Sequence, residues 1–185
     1  GSALAAAGVG DATYGTSLHS FGFGAYLETA EFDVVDRVGF YHPSVDTECK
    51  NPVALQNVAS WAHGESHQRV ALTGDVTQDW AVAPRTPGEP NAAEGQDLTI
   101  DSDVAITEFA PGGPGGYGDD FIELANLGTA DVDVSGWQVW RCGDNAQTYV
   151  QSAGLPAGTV LAPGDVFTLV RSGTGSTGPA AARDL

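Results

Sequence analysis

Lysine occurs once in this chain, at Lys50, and methionine not at all. Seven basic residues stand against 24 acidic ones over 185 positions, a formal net charge of −17. Acids outnumber bases 11 to 4 in residues 1–91 and 13 to 3 in residues 92–185, so neither half offers a basic patch. Phosphate-backbone binding needs such a patch, and nucleic acid is therefore not an expected partner. Long apolar runs are also missing. None approaches the roughly 18 residues of a membrane-crossing helix. Cysteine occurs only as Cys49 and Cys142, with no CxxC and no Cys/His cluster, which argues against a zinc site. Without any methionine the chain does not open on an initiator residue. Gly1-Ser2 reads as a remnant of cloning, and no signal peptide is readable.

Glycine and proline are plentiful, with 25 and 10 residues, and are scattered as punctuation. Hydrophobic residues make up 42% of the chain, enough for a core. This pattern predicts many short strands joined by turns. Strand-like runs begin at Ala25, at Phe32-Asp-Val-Val-Asp-Arg-Val-Gly-Phe40, at Gln68-Arg-Val-Ala-Leu72 and at Trp80-Ala-Val82. Residues 42–67 read as polar and irregular, and residues 84–101 as an extended, proline-containing linker. In the second half, Asp103-Val-Ala-Ile-Thr-Glu-Phe109 alternates as a half-buried strand does. Phe121-Ile-Glu-Leu-Ala-Asn126 is a second strand. Val132 to Trp140 is a third, with a bulge expected at Gly136. Gln147-Thr-Tyr-Val150 and Val166-Phe-Thr-Leu-Val170 follow. No window suits a long amphipathic helix, and spacing and alternation predict an all-β sandwich.

Few residues suggest chemistry. His63-Gly-Glu-Ser-His67 has i, i+4 spacing, but not the HExxH order, and Gly64 and Ser66 argue against a helix there. Loop acids Asp101, Asp103, Asp119 and Asp120 are candidates for calcium, which gathers about six to eight oxygens, though no EF-hand spacing is present. Solvated turns explain the same acids. Glu123, alternating with Leu124, reads as a core-edge glutamate bonded to backbone or arginine, since no partner carboxylate is placed by sequence. There is no Gly-x-Ser-x-Gly elbow, and loop 112–118 lacks the lysine of a phosphate loop. Trp61 and Tyr117 lie in loops and are candidate binding aromatics or packing lids. Cys49 and Cys142 read either as one disulfide of an exported protein or as two separate buried thiols.

Four pieces of the second half resemble, in order, the first half of a lamin-tail domain of the bacterial secreted type. They are Ile106-Thr-Glu-Phe109, Asp120-Phe-Ile-Glu-Leu-Ala-Asn126, Val134-Ser-Gly-Trp-Gln-Val139 and Leu155-Pro-Ala-Gly-Thr-Val-Leu-Ala-Pro-Gly164. The first half of the chain resembles the end of the same domain. It does so through Gly10-Asp-Ala-Thr-Tyr-Gly15, Val34-Val-Asp-Arg-Val-Gly-Phe40, Ser66-His-Gln-Arg69, Asp79-Trp-Ala-Val82 and Pro84-Arg-Thr-Pro-Gly-Glu-Pro-Asn91. Residues 1–91 would thus be a C-terminal half standing before an N-terminal half, residues 92–185. The resemblance implies an immunoglobulin-like sandwich, either circularly permuted within the chain or completed by swapping with a neighbouring chain. The first arrangement places Leu185 near Asp11, and Cys49 near Cys142. By the same resemblance the expected function is non-catalytic. The chain would be an exported module for adhesion, scaffolding or targeting within a larger protein, extracellular or at the cell surface. It would need no cofactor beyond calcium, and its partner would be a protein, a cell surface or a copy of itself. The alternative is a fragment of a secreted metal-dependent hydrolase, a nuclease or phosphoesterase, using an acidic loop site.

Overall fold

A computed structural model of the chain describes residues 10–14, 22–41, 54–56, 64–73, 76–89, 91, 103–110, 120–142 and 149–171. Its strands are β1 (Ala12–Tyr14), β2 (Gly22–Glu28), β3 (Val34–Tyr41), β4 (Ala54–Gln56), β5 (Glu65–Arg69), β6 (Trp80–Pro84), β7 (Val104–Ala110), β8 (Phe121–Asn126), β9 (Val132–Asp133), β10 (Gln138–Cys142), β11 (Tyr149–Gly154), β12 (Val160–Leu161) and β13 (Val166–Arg171). A single helical turn, α1 (Val76–Asp79), leads into β6.

The strands build an immunoglobulin-like β-sandwich. The first sheet runs β1-β13-β8-β7-β5-β6 and the second β11-β10-β2-β3-β4, with β9 and β12 as a small ribbon. Both large sheets interleave the two halves of the sequence. In the first, β1 pairs with β13 and β5 with β7. In the second, β10 pairs with β2, where Trp140 stacks on Tyr26 at 5.9 Å and donates its indole N–H to Glu28 Oε2 at 2.8 Å.

The core lies between the sheets. Core-facing positions of β7, β8 and β13 (Ile106, Phe109, Ile122, Leu124, Phe167, Leu169) meet Leu27, Val38 and Val139 of the second sheet. Each such side chain contributes about 1.5–3 kcal/mol by leaving water.

Three sequence expectations change. The third strand is not continuous. At Val134-Ser135-Gly136-Trp137 the chain turns, with Gly136 at φ 74° and the Trp137 N–H donating to the Val134 carbonyl at 3.1 Å. β9 therefore stays in the ribbon and β10 joins the second sheet. Glycine suits this position because left-handed φ strains other L-residues. The strand expected over 68–72 lies earlier, at Glu65–Arg69, so its first three residues fall in the stretch read as irregular. β7 is not half-buried either, because every one of its residues is enclosed. Something covers its outer face, and that cover is the stretch after Pro84.

Candidate functional site

The outer face of the first sheet carries a polar rung. By register, Thr168 of β13 stands beside Glu123 of β8, Glu123 opposite Glu108 of β7, and Glu108 beside Gln68 of β5. All four are buried, at 0–1% exposure. Ionised carboxylates without partners would be costly there. The strap formed by residues 85–89 and Asn91 supplies those partners.

Thr86 donates its N–H to Glu108 Oε1 at 3.0 Å and its hydroxyl to Glu108 Oε2 at 2.7 Å. Ser66 adds its hydroxyl to Glu108 Oε1. Gly88 donates its N–H to Glu123 Oε2 at 2.9 Å, and Thr107 its hydroxyl to Glu123 Oε1 at 3.3 Å. The Gln68 amide reaches the Pro84 carbonyl at 2.8 Å and Thr86 Oγ1 at 3.1 Å. Asn91 closes the far end, donating to the carbonyls of Arg69 and Thr107. Arg85 lies 4.7 Å over the Phe121 ring. Thr86-Pro-Gly-Glu89 makes the tight turn that presents the Gly88 N–H. Gly88 has φ 80°, and the Glu89 N–H donates to the Thr86 carbonyl at 2.9 Å. Burial, then the nearby Glu108, push the Glu123 carboxyl up to about 8. It is therefore largely protonated at neutral pH.

A second polar group ties the sheets together. Asp36 of β3 receives both hydrogen bonds of the Arg69 Nη2, at 3.1 and 2.8 Å, and the Ile106 N–H at 2.8 Å. Arg69 of β5 also donates its Nε to the Ile106 carbonyl at 2.9 Å and lies 4.8 Å over the Trp80 ring. Burial pushes the Asp36 carboxyl upward, and Arg69 and the backbone donors of Ile106 and Arg37 pull it back. His67, on the core side of β5, lies 4.9 Å from the Phe109 ring, and burial lowers its pKa to about 4. Asn126 knits the loops after β8. Its amide donates to the carbonyls of Ala130 and Leu161 at 2.8 Å each, and its oxygen accepts the Gly128 N–H at 2.9 Å.

Beside the Asp36–Arg69 pair a groove of about 490 Å³ opens between the sheets. Val35, Leu72, Val104, Val132 and Trp137 line it with Asp36, Arg69 and Asp103. Trp137 is half-buried and packs against the core.

Of the calcium candidates, Asp101 and Asp119 lie outside the described residues. Asp103 is exposed just before β7, and Asp120 is buried just before β8. Val104 pairs with Asn126 and Ala110 with Phe121, so these two acids stand at opposite ends of the β7–β8 pair and do not share an ion. Among the described residues no group of three or more His, Cys, Asp or Glu side chains is placed to hold a metal. Cys49, Trp61, Tyr117 and His63 are also outside the described residues, as is Leu185; Cys142 ends β10. Glu123 is bonded to backbone and to threonine rather than to arginine.

Sequence reasoning missed Glu108, Gln68, Asp36 and Asn91 as a working set. The available signal was polar residues at alternate strand positions, Ser66 and Gln68, beside two glutamates on neighbouring strands.

Residues 100–184 match the family model of the lamin tail domain. No curated protein and no solved structure matches the chain. The matched stretch holds β7 through β13, with the Phe-Ile-Glu-Leu-Ala-Asn126 strand and the Ser-Gly-Trp137 corner in the places described above. Residues 100–184 are therefore similar to the lamin tail domain, and the strands described among them belong to an immunoglobulin-like sandwich.

Proposed function

We propose that the chain is a non-catalytic, exported interaction module serving adhesion, scaffolding or targeting within a larger protein. One observation carries this reading. The buried acid pair, Glu108 and Glu123, has its oxygens engaged by Thr86, Gly88, Ser66 and Thr107. These carboxylates hold a strap closed and do not face a substrate. Catalytic acids need access to the proton they move. The lamin tail match supports the same reading, since that domain is an immunoglobulin-like module.

In this reading residues 1–91 supply the C-terminal half and residues 92–185 the N-terminal half of one sandwich, permuted in cis. Interleaving of both halves in both sheets supports this. A Cys49–Cys142 disulfide and an extracellular or cell-surface location belong to the same proposal.

The test is a set of hydrolysis assays on DNA, RNA and phosphoesters with and without calcium or zinc, beside melting curves in each metal. The expected outcome is no turnover and no metal-dependent rise in Tm. Metal-dependent turnover would overturn the reading in favour of a hydrolase.

A further inference from the structure

The groove between the sheets has the chemistry of a binding site. Its floor is apolar (Val35, Leu72, Val104, Val132 and Trp137), and its volume of about 490 Å³ falls in the range of ligand clefts. Its one cation among the described residues, Arg69, is held by Asp36 and by the Trp80 ring, so it is neutralised in place. Its rim is acidic. Asp103 lines it and is exposed, with its carboxylate lying against Gly128. Exposed Asp131 and Asp133 flank Val132, and exposed Asp33 adjoins Val34, another lining residue.

Between the lining residues Thr29 and Val34 the chain carries a strained aromatic. Phe32, at the tip of the β2–β3 turn, has φ 70° and is 69% exposed. Thr29 holds this tip, accepting the N–H groups of Glu31 and Asp33 on its hydroxyl and that of Phe32 on its carbonyl. Left-handed φ is unfavourable for a bulky residue, and an exposed phenyl gains nothing from packing. Such strain concentrates at ligand-binding positions. Val34, two residues on, is also exposed, at 42%.

We propose that this groove docks a basic peptide segment of a partner protein, with an aliphatic or aromatic side chain seated on the Trp137–Val132 floor beneath Phe32. Its lysine or arginine groups meet Asp33, Asp103, Asp131 and Asp133. The inference rests on the chain being an interaction module, and it names the surface and the partner chemistry. Charge complementarity selects the occupant. A net charge of −17 repels acidic partners and steers cationic ones.

The test uses the whole chain and a fluorescein-labelled nonapeptide, Gly-Arg-Leu-Lys-Phe-Lys-Leu-Arg-Gly, followed by anisotropy in low salt. Two control peptides carry glutamate for the basic residues or serine for the apolar ones. The wild type is expected to bind the first peptide in the micromolar range, and neither control at ten times that concentration. Paired substitution of Asp103→Asn and Asp131→Asn weakens binding about 5-fold, as expected for two exposed charges. Phe32→Gly weakens it about 10-fold yet leaves Tm unchanged or higher, because glycine tolerates the left-handed backbone. A structural role for Phe32 would not give that combination. No binding by the wild type, equal binding of the acidic control, or unchanged affinity in both variants would overturn the inference. If the peptide fails while no hydrolysis is seen, the groove inference falls and the module reading stands. Hydrolysis would fell the module reading whatever the groove binds.

Discussion

Glu108 and Glu123 face each other directly across the β7–β8 ladder, both cut off from solvent. Like charges at such positions repel, and burial amplifies the repulsion. The sheet tolerates the pair because Glu123 is largely protonated at neutral pH and because the strap supplies donors to both. The polar outer face is thus a latch that joins sequence-distant Thr86 and Gly88 to β7 and β8.

Stability should therefore peak in mild acid. Glu123 has a folded pKa of about 8 against an ordinary 4.5, so its stabilisation is complete below 4.5 and is lost as pH rises through 8. His67 works from the other side. Its folded pKa of about 4 lies below the ordinary 6.5, so stability falls as pH drops from 6.5 through 4. Between about 4.5 and 6.5 the two oppose each other, which leaves the alkaline loss to Glu123. Each pH unit in its window costs up to about 1.4 kcal/mol. Melting curves from pH 4 to 9.5 should show Tm falling above 6.5, and Glu123→Gln should flatten that limb. An alkaline limb of equal slope in Glu123→Gln would refute the assignment.

The strap should open when its donors are removed. Thr86→Val keeps the backbone N–H but loses the hydroxyl bond to Glu108, a loss of about 1.5–3 kcal/mol for a bond to a charged group. Gly88→Ala forces a β-carbon into φ 80°, at about 1–2 kcal/mol. Both variants should lower Tm, and both should speed amide exchange across residues 85–91 more than in β8. Uniform acceleration through the whole sheet would mean that the strap does not open as a unit.

The Asp36–Arg69 pair should be coupled far more strongly than a surface ion pair. Asp36→Ala leaves the buried guanidinium without its carboxylate and orphans the Ile106 N–H. Removing one partner of such a pair costs about 3–5 kcal/mol, and removing both with apolar replacements costs less. In a double-mutant cycle, Asp36→Leu with Arg69→Met should be more stable than either single change. Additive losses would show that the two residues act independently.

Strands β8 and β13 were legible because alternation and turn residues act locally. The break at Gly136 was not, because Val132 to Trp140 keeps strand-like composition while a single left-handed glycine sends its two ends to different sheets. The latch was hidden for a different reason. Glu108 meets Thr86 from 22 residues away, and Asp36 meets Ile106 from 70, and such contacts leave no local period. The motif Ser66-His-Gln-Arg69 was noticed, but its two-sided role shows only in the fold: Ser66 and Gln68 face the latch, while His67 and Arg69 face the other sheet.

Cutting the chain after Asn91 should yield two fragments that need each other. Residues 1–91 hold β1 to β6, and residues 92–185 hold β7 to β13, yet every large sheet draws on both sets. Alone, the first fragment lacks the β10 partner of β2 and the β7 partner of β5. The second fragment exposes Ile106, Ile122, Leu124 and Leu169, which the other sheet covers in the whole chain. A half sandwich with one open apolar face is not expected to fold in water. Mixed, the fragments should form a 1:1 complex with a strand-rich circular dichroism spectrum, and the uncut chain should run as a 19.0 kDa monomer under non-reducing conditions. Either fragment folding cooperatively by itself would refute the single shared sandwich. A 1:1 complex accompanied by a concentration-dependent dimer of the uncut chain would instead place the same strand pairs between two chains, since the linker from residue 91 to residue 103 then joins halves of different sandwiches.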